Sequence, residues 1–244
     1  MVRLRSDDPV AAELVEAIRG GDVQAVERLV GERPELAPAR ILDDKGGART
    51  PLHVATDWPG HFPNGPAVIA LLVRAGADPN APVEGSWHAE TPLHWAASSD
   101  DVQAAEALLD AGAEIEAPGA SIGGGTPLDD AVGYGQWRVA RRLVERGARA
   151  RVWHAAALGL MDRLDEAFAH TPPLTSEQVT EAFWQACHGG QRRAAEYLLD
   201  RGADLNWVPG WDQHTPLDMA RASGAQDLVE WLLDQGARSA DEPR

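Results

Sequence analysis

The sequence predicts an all-α solenoid of about seven helix-turn-helix units joined by β-turn or hairpin fingers, and three observations predict it. The string Thr-Pro-Leu, followed by His or Asp, occurs four times, at residues 50–53, 91–94, 126–129 and 215–218. Gly-Ala pairs close the segments that contain helices, at residues 76–77, 112–113, 147–148, 202–203 and 236–237. Between these marks, apolar residues recur at helical spacing, as in Ala140, Leu143 and Val144.

Each string has the chemistry of a helix start, and each Gly-Ala pair has that of a helix end. A threonine hydroxyl caps the first turn, proline has the φ angle of the first helical position, and glycine adopts the left-handed conformation that stops a helix. A single helix pair of this kind cannot bury its apolar face alone, so consecutive pairs must stack. We therefore expect one continuous repeat domain over residues 1–244.

The spacing within an intact unit locates the units that lack the string. Thr126 lies nine residues before the turn position Gly135, and Gly147 follows twelve residues later. The same spacing fits Glu181 and Gly190, where the string is lost. The predicted units are centred on residues 12–33, 50–76, 91–112, 126–147, 150–171, 181–202 and 215–236. Beyond the last unit, we expect residues 239–244 to be frayed.

These strings resemble the signature of the ankyrin repeat family, T-P-L-H-x-A, whose unit is a β-turn plus two helices. In all four copies an alanine follows two residues after the His or Asp. The resemblance implies that His53 and His94 tie adjacent repeats together by hydrogen bonds. It also implies that binding residues lie in the fingers just before each signature and in the two residues before each helix turn.

Departures from the regular spacing predict irregular loops. Five extra residues, 59–63, lie between the two helices of the second unit, and the finger around residues 43–47 is long. Between the fourth and fifth units about nine residues are absent, so that residues 147–149 lead almost directly into the next helix. We expect a gap in the row of fingers there, and a notch in the concave surface.

Composition excludes several classes of function. The formal charge is −16, with 38 acidic and 22 basic side chains, so the chain lacks the basic surface that nucleic acid or an anionic membrane would need. The single cysteine, Cys187, permits no intrachain disulfide, and neither an apolar signal core nor a run of ~20 apolar residues occurs. We expect a cytoplasmic monomer with no cofactor and no metal ion, since common catalytic and metal-binding strings are missing.

The aromatic residues single out a binding surface. Nine tryptophans stand against three phenylalanines and two tyrosines, and several fall in fingers or loops, where a helix core does not require them. Tryptophan is enriched at binding hot spots because its large ring excludes water. Together with the positions that the resemblance implies, the expected binding residues are Trp58, Trp87, His88, Glu90, Ser98, Ser99, Asp100, Tyr134, Trp153, Trp184, His188, Trp211, Asp212 and His214.

This set supports two hypotheses. In the first, the protein is a scaffold that binds another protein through its concave groove and finger loops, and the acidic charge favours a partner with a basic patch. In the second, it is a small-molecule-binding protein or an enzyme that uses a pocket of His, carboxylate and Trp residues near the missing finger, around Trp153, Trp184 and His188. A closed pocket with converging groups would indicate the second, and an open shallow groove the first.

Overall fold

The computed structural model describes residues 2–44 and 46–241, and this part of the chain is mostly helical, as expected. It consists of two compact units, Met1–Ala148 and Arg149–Arg244, called below the N-terminal and C-terminal units. The expectation of one continuous domain with seven repeats stays a prediction. Lys45 of the long finger and residues 242–244 of the expected frayed tail lie outside the described residues.

The N-terminal unit is built from four consecutive helix pairs. First helices pack on first helices, α1 on α3, α3 on α5 and α5 on α7, while the second helices α2, α4, α6 and α8 form a parallel row behind them. The helices are α1 (Pro9–Gly20), α2 (Val23–Glu32), α3 (Pro51–Thr56), α4 (Gly65–Arg74), α5 (Pro92–Ser98), α6 (Val102–Asp110), α7 (Pro127–Gly133) and α8 (Trp137–Glu145). The core of this unit lies between the two rows, where Leu52, Leu93 and Leu128 are buried.

The C-terminal unit contains three helix pairs. They are α9 (Val152–Leu158) with α10 (Met161–Ala169), α11 (Ser176–His188) with α12 (Arg192–Leu199), and α13 (Pro216–Ser223) with α14 (Gln226–Asp234). Helix α11 packs against α9, α12 and α13, and its Phe183 is the largest fully buried side chain. This helix begins five residues before the expected Glu181. It starts early because Thr175 and Gln178 form a reciprocal capping box there.

The Thr-Pro-Leu strings start helices as predicted. In each copy the threonine is the N-cap, proline follows at the start of the helix, and the His or Asp three residues after the cap bonds back to the cap. In the first copy, the backbone N–H of Thr50 donates to Nδ1 of His53 over 3.2 Å. The imidazole or carboxylate thus takes the place that Glu or Gln has in the common capping box.

A small sheet at the N-terminus was not expected from the sequence. Strand β1 (Arg3–Arg5) runs parallel to β2 (Arg40–Leu42), and β2 pairs antiparallel with β3 (Ala48–Arg49). Ala48 also forms a bridge to Glu84 in the next finger. Strands of two or three residues carry too few side chains for a period-two pattern, so their pairing depends on partners far away in the sequence.

No helix in residues 2–44 and 46–241 has both the length and the apolar character that crossing a bilayer requires.

Candidate functional site

Two adjoining open clefts lie on the finger side of the N-terminal unit, and both are lined by Glu90 and Trp95. The first, of about 460 Å³, is called here the aromatic cleft; its lining is Asp57, Trp58, Glu90, Trp95, Ser98, Ser99, Tyr134 and Gln136. The second, of about 450 Å³, is called the finger cleft; its lining includes Arg49, Glu84, Ser86, Trp87, Glu90 and Trp95. Five of the residues predicted to bind a partner therefore line the aromatic cleft, and Trp87 lines its neighbour.

Glu90 is held in place by its own backbone and by two aromatic side chains. Its carbonyl oxygen accepts a hydrogen bond from the N–H of Val83 at 2.8 Å. The same oxygen lies 3.1 Å from Nε2 of His53, which carries the proton because Nδ1 already accepts from Thr50. Trp95 meets the His53 ring edge-on at 4.9 Å, and hydrogen bonding by its side chain lowers the pKa of the Glu90 carboxyl group. The backbone of Glu90 is therefore fixed before any ligand arrives.

A second carboxyl group, that of Asp130, lies in the interior of the unit, near enough for its charge to raise the pKa of Glu90. It is fully buried, and its Oδ1 accepts from the hydroxyl of Ser121 at 2.8 Å and from the N–H of Ile122 at 3.0 Å. Its Oδ2 has no hydrogen-bond partner among the described residues. Burial raises the pKa of Asp130, while its hydrogen bonds to Ile122 and Ser121 and the charge of His88 act the other way.

The charge of Asp130 acts on the Glu90 carboxyl group. Burial raises the pKa of Glu90, and the charge of Asp130 raises it further, whereas the hydrogen bond from Trp95 and the charge of His88 lower it. A carboxylate that is partly withdrawn from water and lies close to another gains from a cation placed beside it. The site therefore has a local negative field, with the exposed His88 at its edge.

Exposed aromatic rings surround this pair of carboxyl groups. Trp58 is 80% exposed, Trp87 is fully exposed at the tip of its finger, and Tyr134 is 49% exposed. The hydroxyl of Tyr134 lies 2.8 Å from the hydroxyl of Ser121, the same group that bonds Asp130. The ring of Tyr134 is thereby tied to the buried carboxyl group, while Trp58 and Trp87 are free to cover a ligand.

A third carboxylate, in the lining of the aromatic cleft, is already neutralised. Oδ2 of Asp57 lies 2.6 Å from a guanidinium nitrogen of Arg19 and 2.8 Å from one of Arg49. In the described residues no arginine forms an ion pair with Glu90 or with Asp130. Of the two carboxylates that line this cleft, Asp57 is therefore neutralised and Glu90 is not, among the described residues.

Some of the predicted binding residues have a structural role instead, because their side chains form hydrogen bonds within the unit. Oδ1 of Asp100 accepts from the backbone N–H of Val139 at 2.9 Å and so caps helix α8. The hydroxyl of Ser98 donates to the carbonyl of His94 at 3.1 Å. Ser99 lines the cleft, and no side-chain hydrogen bond is found for it among the described residues. Because capping occupies the Asp100 carboxylate, we leave that residue out of the proposed binding surface.

Five of the six predicted residues of the C-terminal unit, all except Trp153, lie on and under one finger. Trp184 is only 4% exposed, its indole N–H donates to the carbonyl of His214 at 2.9 Å, and His188 stacks on its ring. Trp184 is therefore a packing residue that supports the finger. On the finger itself, Trp211 is exposed and Asp212 lies 2.5 Å from Nδ1 of His214. That hydrogen bond raises the pKa of His214.

Trp153 lies apart from this finger. Trp153 is half-buried, and the guanidinium of Arg151 lies over its ring, 5.3 Å from the ring centroid. Trp153 lines an open cleft of about 720 Å³ in the C-terminal unit. Neither Trp184 nor His188 lines that cleft. The pocket expected around these three residues is not assembled, because Trp184 turns into the core.

Sequence reasoning missed Asp130, although a signal was present. In the four signature strings, the position after His or Asp holds Val54, Trp95, Asp130 and Met219. Val54 at this position is buried and Trp95 contacts His53 of the preceding repeat, so the aspartate stands where the other copies place apolar or aromatic side chains. The same comparison links Trp95 to Asp130, since first helices of successive pairs pack side by side.

Comparison with known proteins identifies relatives over most of the chain. A family model described as ankyrin repeats (3 copies) matches residues 62–155 and 152–241. An ankyrin repeat and KH domain-containing protein of Caenorhabditis briggsae is 28% identical over 235 residues, which is 92% of this chain and 8% of that protein. The ankyrin repeat and KH domain-containing protein mask-1 of Caenorhabditis elegans is 27% identical over 233 residues, with the same two shares.

A human relative covers a larger share of its own length. Ankyrin repeat and SOCS box protein 16 of Homo sapiens is 33% identical over 199 residues, which is 81% of this chain and 38% of that protein. The chain thus spans well under half the length of each of these three relatives.

Proposed function

This chain belongs to the ankyrin repeat family, and from that premise we propose that it is a scaffold that binds another protein through the aromatic and finger clefts of its N-terminal unit. Ankyrin repeats as a class bind protein partners. Fold alone does not select a binding face, so the proposal depends on the site itself. The observation that carries it is the group of exposed rings, Trp58, Trp87 and Tyr134, around two joined clefts.

Exposed aromatic rings are costly to a protein that binds nothing. A single exposed apolar side chain is ordinary, but several around one cleft are typical of an interaction surface. Tryptophan and tyrosine supply most of the binding energy at such surfaces, because they cover large areas with few rotatable bonds. Trp87, which is fully exposed, has no packing role that would explain it.

Internal hydrogen bonds order part of both clefts, which favours binding. The backbone carbonyl of Glu90 is fixed by bonds from Val83 and His53, and the hydroxyl of Tyr134 is bonded to Ser121. Since these groups are already ordered, a partner loses little additional conformational freedom when it docks on them. Open clefts of this depth fit a segment of another protein better than an enclosed small molecule.

The charge of the chain supports a partner that carries a basic patch. With a net charge of −16, the chain attracts basic proteins and repels acidic ones, which affects the association rate and its dependence on salt. Binding through this surface is therefore expected to weaken as the salt concentration rises.

Affinity capture from a native cell extract, at low and at high salt, tests the proposal. Trp87→Ala is expected to weaken binding of the captured partner by more than ~1 kcal/mol, about fivefold, with an unchanged melting temperature. Leu233→Ala is the matched control, because Leu233 is 47% exposed on α14 in the C-terminal unit. Equal affinity of the parent and Trp87→Ala for that partner would remove the finger cleft from the binding surface.

A further inference from the structure

The aromatic cleft combines aromatic rings with a carboxylate, Glu90, that no arginine of the described residues neutralises, and that combination selects the chemistry of what enters it. We propose that the protein partner inserts an arginine side chain into the aromatic cleft, with its guanidinium group beside the carboxylate of Glu90. This inference rests on the proposed function and specifies the residue by which the partner is recognised.

The charges of the cleft leave room for one cation. Asp57, in the lining, is bonded to both Arg19 and Arg49. Glu90, also in the lining, and Asp130, which is buried outside it, share no guanidinium partner among the described residues, and Oδ2 of Asp130 is left without any hydrogen bond there. The ion pairs of Asp57 show that a carboxylate on this face binds guanidinium groups when arginine side chains are within reach. A cation beside Glu90 would also be stabilised by the field of Asp130.

The rings favour a guanidinium over an ammonium group. Trp58, Trp95 and Tyr134 line the cleft around Glu90. A guanidinium is planar, is more weakly hydrated than an ammonium group, and stacks on aromatic faces while it donates two parallel bonds to a carboxylate. Trp95 and Glu90 line both clefts together, so an indole lies near the carboxylate that a fork-shaped donor would bond.

The surroundings of the cleft favour an arginine within a polypeptide over a free small molecule. The finger cleft continues from Glu90 to Trp87, which is fully exposed. A chain that places arginine beside Glu90 can extend an adjacent apolar residue along Trp87, whereas free arginine would leave that ring uncovered. The occupant is therefore an arginine flanked by apolar residues.

Three blocked pentapeptides test the inference on the full chain. They share the sequence acetyl-Gly-Leu-X-Leu-Gly-amide, where X is arginine, lysine or the neutral isostere citrulline, and binding is followed by the indole N–H signals of the tryptophans in NMR spectra. The arginine peptide is expected to bind about tenfold more tightly than the citrulline peptide and about threefold more tightly than the lysine peptide. Equal affinity for arginine and citrulline, or for arginine and lysine, would overturn the inference.

Variants of the two carboxyl groups locate the site. Glu90→Gln is expected to weaken the arginine peptide about tenfold, and Asp130→Asn about threefold through the field alone, since asparagine keeps the bonds from Ser121 and Ile122. Glu114→Gln is the matched control, because it removes one exposed charge from the same unit outside both clefts. Circular dichroism confirms that each variant is folded. Unchanged binding by both folded variants would contradict the assignment.

Two further outcomes separate this inference from the proposed function. If acetylarginine amide binds as tightly as the pentapeptide, the site is one for a small molecule and the inference fails. If the peptides show no preference while Trp87→Ala still lowers capture of the native partner, the arginine subsite fails and the scaffold proposal stands.

Discussion

Acid is expected to destabilise the N-terminal unit through His53, whose imidazole is fully buried. Burial lowers the pKa of His53 from 6.5 to about 3, and the charges of Arg40 and Arg49 act in the same direction. The unfolded chain therefore binds this proton more tightly than the folded chain does. The stabilising contribution of the neutral ring is fully present above pH 6.5 and is lost as the pH falls towards 3.

The loss of stability at a given pH follows from how far that pH lies below the pKa of histidine in the unfolded chain. At pH 5, roughly 1.5 units below the unfolded value, one such histidine costs about 2 kcal/mol, at ~1.4 kcal/mol per unit. His94 adds to this loss, since burial lowers its pKa to about 4. Glu90 and Asp130 act in the opposite direction because their pKa values are raised. The pH dependence of the parent protein is therefore the sum of these contributions, and a variant is needed to isolate that of His53.

His53→Asn isolates the contribution of His53 to stability. Asparagine accepts the bond from Thr50, but it does not titrate and does not reach the carbonyl of Glu90. At pH 7 its free energy of unfolding, measured by urea denaturation, is expected to be about 1–3 kcal/mol below that of the parent. At pH 5 the difference is expected to shrink by about 2 kcal/mol, since only the parent has lost the His53 contribution. His170→Asn, at an exposed site, is the control. An equal difference at the two pH values would refute the account of His53.

Three other predictions follow from single side chains. Leu93→Ala is expected to lower the free energy of unfolding by about 2–5 kcal/mol, because the side chain is fully buried between the helix rows; unchanged melting would contradict the assigned packing. Cys187 is fully buried and burial raises the pKa of its thiol, so it is expected to react with a thiol reagent only after denaturant is added, and rapid labelling of the native chain would be the contrary result. Asp212→Asn removes the negative charge beside His214 and is expected to lower the pKa of that residue in an NMR titration, whereas the exposed-site variant Asp200→Asn leaves it unchanged; an unmoved pKa in Asp212→Asn would show that the charge of Asp212 does not set it.

The fold was predictable from sequence because its information is local. Threonine, proline and the residue at the third helical position meet within one turn, so the helix starts at Pro51, Pro92, Pro127 and Pro216 follow from adjacent residues. The early start of α11 and the pairing of β1 with β2 were not predicted. The first depends on the capping box at Thr175, where no proline follows, and the second on strands separated by more than thirty residues.

The binding site was only partly predictable because exposure depends on neighbours. The choice of Trp58, Trp87 and Glu90 as binding residues follows from their positions in loops and fingers, which the spacing of the repeat units locates. Trp184 and Asp100 also occupy expected positions, yet a neighbouring finger covers the first and a neighbouring helix start uses the second. Position along the repeat identifies candidates for binding, and the adjacent repeat decides which of them are free.

The capping of α8 by Asp100 has a consequence for engineering this chain. The start of one helix depends on a side chain contributed by the previous helix pair, and Asp101 likewise holds the backbone N–H of His61 in the pair before its own. Helix pairs that are hydrogen-bonded to their neighbours in this way cannot be exchanged freely for one another. A shuffled or truncated array that separates these partners is expected to fray at the new junction, and grafting Asp100 and Asp101 along with the module they serve would be the way to restore it.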